Sequence, residues 1–210
     1  MIHVPTGAGK TYASYFGPLA QLIDKLPTGL TLLYVTPLRA VARDVEKSLR
    51  RPIDDLSLDL RLEVRNGDTP AHIRLRQKKK IPQILITTPE SLSLLLSYPD
   101  AKEKFAGLRA VIVDEWHELI GNKRGTQVEL ALARLRRWNP NLQTWALSAK
   151  IQNLEEAAQV VVGPANPYTL ISIKLARKVD MDVLLPEKVN SFPWAGHLGL
   201  TQNFNGLLRW

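Results

Sequence analysis

Two short segments carry the residue types needed to hold a nucleoside triphosphate, and the first is a glycine-rich loop. Residues 5–11 read Pro-Thr-Gly-Ala-Gly-Lys-Thr, although the strict phosphate-loop pattern would have glycine at the position of Val4. The glycines let backbone N–H groups close around an anion, while Lys10 can reach the β- and γ-phosphates and Thr11 can bind Mg²⁺. The expected nucleotide-binding residues are Thr6, Gly7, Ala8, Gly9, Lys10 and Thr11.

The second segment, Val-Ile-Val-Asp-Glu-Trp-His at residues 111–117, is an apolar run that ends in adjacent carboxylates. It is typical of a buried strand whose C-terminal end delivers Asp114 and Glu115 to a site. One carboxylate can hold Mg²⁺, and the other can orient or activate water. Either segment alone could be a plain turn or a solvated strand end. An NTPase needs both, and this chain has both.

Composition sets the broad class of protein. The 210 residues are 45% hydrophobic, which is enough for one substantial core. A net charge of +8 suits a polyanionic partner, although many basic proteins bind no nucleic acid. The absence of cysteine excludes disulfides, zinc–thiolate sites and thiol catalysis, and it fits a reducing, cytoplasmic location. No apolar run reaches membrane-spanning length and no signal peptide is recognisable, so no membrane partner is expected.

The two segments sit in a chain that alternates strand-like and helix-like stretches. The expected strands after the Met1–Val4 stub are 30–35, 59–64, 83–87, 109–114, 143–147 and, more weakly, 168–173. The expected helices begin at Thr11 and otherwise cover 38–49, 89–96, 127–138 and 154–162, with Asp68 or Thr69 capping a further helix that has Pro70 in its first turn. This alternation predicts an α/β fold with a mostly parallel sheet and helices on both faces. All strand C-termini, and the loops after them, then lie along one edge.

Two stretches fall outside this rhythm. The basic run at residues 74–80 is interpreted equally well as a solvated helix end and as a nucleic-acid contact. Residues 174–210, with Pro186, Pro193 and Gly196, read as an extended connector. The expected division is therefore a nucleotide-binding domain at 1–173 and a connector at 174–210.

The ordered segments resemble the first RecA-like domain of a superfamily 2 helicase. Residues 5–11 resemble motif I, 36–40 (Thr-Pro-Leu-Arg-Ala) motif Ia, and 114–117 (Asp-Glu-Trp-His) the DExH form of motif II. Residues 67–69 match the position of motif Ib, 88–92 (Thr-Pro-Glu-Ser-Leu) that of the next strand-binding loop, and 147–150 that of motif III. Residues 114–121, 123–125 and 129–135 look like the large helicase-related (Lhr) family. Residues 153–157, 185–188 and 192–200 point to its bacterial branch, the ligase-associated DExH-box helicases.

The resemblance implies ATP-dependent translocation on DNA, 3′ to 5′, with a role in DNA repair, and ATP and Mg²⁺ as cofactors. It gives phosphate binding to Lys10, the metal to Thr11 and Asp114, the attacking water to Glu115, and coupling to nucleic acid to His117. Its nucleic-acid-binding loops correspond to Pro37, Arg39, Gly67, Asp68, Thr69, Thr88, Pro89, Glu90 and Ser91. Single-stranded or 3′-tailed DNA is the expected partner, and RNA is the alternative.

Three departures from the family shape these expectations. The family's adenine-reading segment would precede residue 1, and a second RecA-like domain would follow residue 210, so a fragment without autonomous unwinding is expected. Motif III has Lys150 where the family has threonine, and this cation could pair with Asp114 or Glu115 and compete with Mg²⁺. The competing interpretation is a decayed module that holds ATP or nucleic acid without turnover.

Overall fold

A computed structural model describes residues 1–5, 7–23, 27–163 and 166–173. In these residues seven strands form one sheet: β1 (Ile2–His3), β2 (Leu32–Val35), β3 (Leu62–Arg65), β4 (Ile84–Thr87), β5 (Ala110–Val113), β6 (Gln143–Ser148) and β7 (Ile171–Ser172). The order is β3-β4-β2-β5-β6-β1-β7, and every pairing is parallel. Parallel pairing gathers all strand C-termini at one edge of the sheet, as the alternation predicted.

Seven α-helices and one 3₁₀ turn connect these strands within the described ranges. They are α1 (Lys10–Ile23), α2 (Arg39–Asp55), α3 (Ala71–Lys79), α4 (Pro89–Leu96), α5 (Ala101–Lys104), the 3₁₀ turn Trp116–Glu118, α6 (Lys123–Trp138) and α7 (Leu154–Val162). The short α5 and the 3₁₀ turn were not predicted. No helix in the described part of the chain combines the length and apolarity needed to cross a bilayer.

Alternating side chains along each strand build a core on either face of the sheet. In β2, Leu33 and Val35 pack in one core with residues of α4, α6 and α7. Leu32 and Tyr34 pack in the other core with residues of α1 and α2. Because both faces are covered, the central strands are apolar throughout, which is why they appear in the sequence as continuous hydrophobic runs.

The edge strand β3 is protected by polar side chains. Arg50 Nη2 donates to the Leu62 carbonyl at 2.8 Å, and Gln77 Nε2 donates to the Val64 carbonyl at 3.1 Å. An edge strand with free carbonyls is a template for pairing with another chain. These side chains occupy the carbonyls and so oppose edge-to-edge association.

The cap of α3 and the start of α6 differ from the sequence predictions. Helix α3 begins at Ala71 without a side-chain cap, so the predicted cap at Asp68 or Thr69 is wrong. The Thr69 hydroxyl instead accepts from the Asn66 amide at 2.9 Å inside the preceding loop. Helix α6 begins before the predicted position 127, because the Asn122 side chain accepts from the amides of residues 124 and 125.

Two predicted features lie outside the described residues. Thr6 is one of them, so its expected phosphate contact stays a prediction. The proposed connector 174–210 is the other, and the boundary at residue 173 likewise stays a prediction.

Candidate nucleotide site and nucleic-acid interface

The glycine-rich loop forms a tight turn that leads directly into α1. Gly7 and Gly9 have φ angles of 82° and 79°, in the left-handed region where a Cβ atom is strained. The turn is closed by the Ala8 amide, which donates to the Pro5 carbonyl at 3.3 Å. Helix α1 begins at Lys10, so its first amides and its positive dipole end face the loop. This local structure is suited to binding phosphate.

Asp114 is a buried carboxylate at the C-terminal end of β5. The Tyr34 hydroxyl donates to Asp114 Oδ2 at 2.8 Å, and the Glu115 amide donates to Oδ1 at 2.9 Å. Burial raises the pKa of Asp114 above its ordinary value, and the Tyr34 hydrogen bond only partly opposes this. Tyr34 was missed by the sequence analysis, because a tyrosine within an apolar strand has no distinguishing pattern.

Glu115 faces the phosphate loop from a strained backbone position. Its φ and ψ angles are 44° and 49°, in the left-handed region that non-glycine residues seldom occupy. Glu115 Oε1 lies 3.8 Å from Lys10 Nζ, and only 7% of the Lys10 side chain is exposed. In the described part of the chain, neither Lys10 Nζ nor Glu115 Oε2 has a hydrogen-bond partner, although both atoms are buried.

His117 joins the Asp-Glu segment to the end of β6. Its Nδ1 lies 3.2 Å from Ser148 Oγ and 3.3 Å from Glu115 Oε2. The neighbouring Trp116 is fully buried, and its indole N–H donates to the Ala157 carbonyl at 3.0 Å. Trp116 is therefore a packing residue, whereas His117 connects two of the predicted motifs.

The residues at this edge fit a magnesium–nucleotide complex. Burial raises the pKa of the Tyr34 hydroxyl well above its ordinary value, Asp114 adds to this rise, and the Thr11 side chain opposes it, so Thr11 and Asp114 both lie near that hydroxyl. No cluster of three or more acidic or histidine side chains in the described ranges could hold a metal alone. Mg²⁺ typically takes one or two carboxylates and completes its shell with substrate phosphates and water. The sparse donor set matches that requirement, as does a buried Lys10 ammonium that makes no hydrogen bond within the described residues.

The loops predicted to bind nucleic acid lie together at the other half of the same edge. They follow β2, β4 and β3, which are neighbours in the sheet. Arg39 Nη1 donates to Asp68 Oδ1 at 2.9 Å, joining the first loop to the Gly67–Thr69 loop. The Thr36 amide donates to the Thr87 carbonyl at 2.9 Å, joining the first loop to the 88–91 loop. In the last of these, the Thr88 hydroxyl lies 3.4 Å from Ser91 Oγ.

The basic run at residues 74–80 is largely engaged within the protein. Arg74 donates to the carbonyls of Thr69 and Gly67 at 2.7 and 2.6 Å, which holds the Gly67–Thr69 loop. Arg76 lies 3.2 Å from a Glu63 carboxylate oxygen, and the Lys78 ammonium lies 5.1 Å from the centre of the Tyr98 ring. These contacts favour a structural role for this part of the run.

Arg124 connects two of the predicted nucleic-acid loops. Its Nε donates to Glu90 Oε1 at 2.5 Å, and its Nη2 donates to the Pro37 carbonyl. Burial acts to raise the pKa of Glu90, but the Glu90 backbone amide and the Arg124 guanidinium outweigh burial and hold that pKa below its ordinary value. In the sequence, Arg124 is distinguished only as part of a family signature, which implies no role for it.

The structure does not place Lys150 against the Mg²⁺ carboxylates. Within the described residues Lys150 forms no ion pair, and Glu115 is paired with Lys10 instead. Lys150 lines an open groove of about 350 Å³ with His117 and Glu156. The expected pairing with Asp114 or Glu115 is therefore not found, so the competition with Mg²⁺ that depended on this pairing has no basis in the structure.

Comparison with known proteins agrees with this geometry. Residues 1–157 match the family model described as DEAD/DEAH box helicase. The chain belongs to the DEAD/DEAH box helicase family. It is 35% identical over 204 residues to the ATP-dependent helicase Lhr-Core of Methanothermobacter thermautotrophicus, covering 89% of this chain and 24% of the relative. It is 36% identical over 200 residues to the Lhr helicase/probable uracil glycosylase of Mycolicibacterium smegmatis, covering 89% of this chain and 13% of that protein.

Solved structures give the same picture. The Mycobacterium smegmatis helicase Lhr bound to ssDNA and AMP-PNP matches with a TM-score of 0.76 at 36% identity, over 86% of this chain and 24% of that one. The DUF1998 helicase MrfA bound to DNA and AMPPNP matches with a TM-score of 0.71 at 25% identity, over 82% of this chain and 24% of that one. The predicted RecA-like fold and the resemblance to Lhr helicases are confirmed. The narrower bacterial ligase-associated branch stays a prediction.

The match is confined to part of each relative. The chain spans about a quarter of the length of the Lhr-Core helicases it matches. The activity of the whole protein, its substrates and its partners are therefore matters of proposal.

Proposed function

We propose that this chain is the ATP-binding lobe of an ATP-dependent DNA helicase. The observation that carries the proposal is the convergence of Lys10, Asp114 and Glu115 at the C-terminal ends of β1 and β5. The neighbouring ends of β2, β3 and β4 carry the proposed nucleic-acid loops. Relatives named ATP-dependent helicases, and a structural neighbour bound to ssDNA and AMP-PNP, support both halves.

The proposed chemistry follows from the positions of the side chains. Lys10, freed from Glu115, would contact the β- and γ-phosphates, and the loop amides would contact the rest of the phosphate chain. Thr11 and Asp114 would hold Mg²⁺, which neutralises charge as the γ-phosphoryl group transfers. Glu115 would orient the attacking water. His117, which lies beside Ser148, would couple the nucleotide site to the end of β6.

The nucleic-acid loops would hold the phosphodiester backbone through amides and hydroxyls. Such contacts carry little base information, which suits an enzyme that moves along any sequence. Single-stranded or 3′-tailed DNA is the proposed substrate, with movement 3′ to 5′, a role in repair and a cytoplasmic location. These finer points rest on the resemblance to Lhr helicases.

We further propose that these 210 residues alone hydrolyse ATP slowly and do not unwind duplex DNA. Helicase movement needs two RecA-like lobes, and the chain corresponds to about a quarter of its Lhr-Core relatives. An arginine finger from a second lobe would contribute about 10³–10⁵ in rate. Strand separation by the isolated chain would contradict this part of the proposal.

A second candidate is a module that binds nucleotide or nucleic acid without turnover. Lys150, in place of the threonine that the family has in motif III, is the observation that favours it. The two candidates differ in ATPase activity. Fusion to a second lobe of a related helicase should restore DNA-stimulated turnover under the first candidate and not under the second.

The direct test of the nucleotide site is a titration with a fluorescent ATP analogue. Wild type should bind in a Mg²⁺-dependent manner, and Lys10→Ala should lose about tenfold or more in affinity because a charge-assisted phosphate contact is removed. Lys47→Ala, on the exposed surface of α2, is the matched control. Equal affinity of wild type and Lys10→Ala would overturn the assignment.

A further inference from the structure

We infer that Arg124 is a positioning residue for nucleic-acid binding, which neutralises Glu90 where two backbone-binding loops meet. The inference rests on the proposed function, since it assigns a role within that interface. It concerns a residue to which the motif comparison gave no role.

The geometry places Arg124 between elements that come from distant parts of the sequence. The guanidinium donates to Glu90 Oε1 at 2.5 Å and lies 3.5 Å from Oε2, so it spans both carboxylate oxygens. The same group donates to the Pro37 carbonyl, at the loop before α2. Arg124 itself lies in the first turn of α6, shortly after the Asp-Glu-Trp-His segment. One side chain therefore links the chain that follows the nucleotide site to two loops of the nucleic-acid interface.

The local structure of α6 holds Arg124 in this position. A cation in the first turn of a helix is unfavourable, because the N-terminal end of the helix dipole is positive. Two compensating features are present: the Asn122 side chain caps the turn, and Glu90 supplies the opposing charge. Gly125 lets the turn approach the preceding segment closely, since a Cβ there would lie 1.9 Å from the Leu119 carbonyl oxygen. The turn is thus fixed on both sides of Arg124.

The electrostatic consequence is specific. Glu90 is in the first turn of α4, where the N-terminal end of the helix can bind a phosphate group. A carboxylate at the same place, if it were not paired with a cation, would repel that phosphate. Arg124 pairs with that carboxylate and removes the repulsion. Loss of Arg124 should expose the charge of Glu90 to the incoming phosphate backbone.

Arg124 could act by neutralising Glu90 or by contacting DNA directly, and the two roles predict different binding by the variants. If Arg124 acts by neutralising Glu90, then Arg124→Ala should weaken single-strand binding about tenfold, and adding Glu90→Gln should restore most of it. If Arg124 bound phosphate directly, the double variant would still lack that contact, and Glu90→Gln would not rescue Arg124→Ala. The rescue is the readout that a general loss of structure would not produce.

The experiment measures fluorescence anisotropy of a labelled oligo(dT) with wild type, Arg124→Ala, Arg124→Lys, Glu90→Gln and the Arg124→Ala/Glu90→Gln double variant. Arg51→Ala removes an exposed cation paired with Asp55 near the far end of α2 and is the matched control for charge. Affinity for the fluorescent ATP analogue is recorded for each protein and should stay near wild type, and the midpoint of thermal unfolding is recorded to show that each variant is folded.

The outcomes are distinguishable. Loss in Arg124→Ala with recovery in the double variant supports the inference. The inference is wrong if wild type and Arg124→Ala bind DNA with equal affinity, or if the affinity lost in Arg124→Ala is not recovered in the double variant. Either result leaves the proposed function intact. Absence of DNA binding by wild type, with normal nucleotide binding, overturns the nucleic-acid half of the proposed function and this inference with it.

Discussion

At the scale of single residues, the candidate nucleotide site places charged groups where folding alone would not favour them. Asp114 is buried against Tyr34, and Lys10 is almost fully buried with Glu115 nearby. Glu115 also occupies a left-handed backbone conformation. Such costs are typical of functional sites, because a ligand rather than the apo fold uses these groups.

Asp114→Asn should stabilise the folded protein. The pKa of Asp114 is raised by burial, so this group favours folding at pH below its unfolded pKa and loses that contribution as pH rises through its folded pKa. At neutral pH the carboxylate therefore costs stability. An amide carries no charge: its oxygen can accept from the Glu115 backbone amide, and its NH₂ group can donate to the Tyr34 hydroxyl oxygen, which reverses the direction of that bond. Stability at pH 7 should rise by roughly 1 kcal/mol.

Chemical denaturation at pH 7 and near pH 4 measures this effect. The gain from Asp114→Asn should shrink at the lower pH, where the wild-type carboxyl becomes protonated. The same variant should lose Mg²⁺-dependent nucleotide binding. An unchanged or lowered stability at pH 7 would show that the buried charge carries no cost.

Trp116→Phe tests the packing role of the unusual tryptophan. The ring volume is partly kept, but the indole N–H bond to the Ala157 carbonyl is lost. The free energy of unfolding should fall by about 1–3 kcal/mol because a buried hydrogen bond and part of the ring packing are lost. Nucleotide affinity, measured with the fluorescent analogue, should stay near wild type. A loss of affinity without a loss of stability would instead give Trp116 a functional role.

At the scale of elements, the start of α6 depends on close approach of the backbone. A Cβ at position 125 would lie 1.9 Å from the Leu119 carbonyl oxygen, and backbone cannot move aside as a flexible side chain can. Gly125→Ala should therefore destabilise the fold by about 1–3 kcal/mol through overpacking. Gly29→Ala is the matched control, since nothing lies within 4 Å of a Cβ there.

Thermal unfolding of the two glycine variants distinguishes a local effect from a general one. The Gly29 variant should be neutral or slightly stabilised, because alanine restricts the unfolded chain. Equal stability of the two variants would show that α6 can shift without penalty.

The sequence predicted the elements and the motif residues far better than the links between them. Lys10, Asp114 and Glu115 could be named as candidate site residues because the proposed chemistry requires particular residue types next to a turn or a strand end. The Tyr34–Asp114 bond joins residues far apart in the chain, and it depends on β2 lying beside β5. That strand order is a property of tertiary packing and has no local signal. The same reason hides the bond between Arg124 and Glu90.

At the scale of the whole molecule, the strand order separates two proposed sites along one edge of the sheet, and the basic net charge favours polyanionic ligands. The proposed nucleotide site lies at β1 and β5, and the proposed nucleic-acid loops lie at β2, β3 and β4. The net charge of +8 adds a long-range attraction to polyanions. Single-stranded DNA should therefore bind with strong salt dependence and little sequence preference.

A salt series with oligonucleotides of different sequence tests this expectation. The logarithm of the association constant should fall linearly with the logarithm of salt concentration, with similar slopes for each sequence. A flat salt dependence, or marked preference for one sequence, would contradict the proposed backbone-binding interface.

One edge of the sheet is proposed to have two adjoining sites, one for nucleotide and one for nucleic acid. Amide hydrogen exchange of the chain, followed by mass spectrometry, tests it most directly. AMP-PNP with Mg²⁺ should protect residues 7–11 and 113–117, and oligo(dT) should protect residues 37–40, 66–69 and 88–91. Lys10→Ala should lose the first footprint and keep the second. Protection of neither region, or a nucleotide footprint away from residues 7–11, would contradict the account.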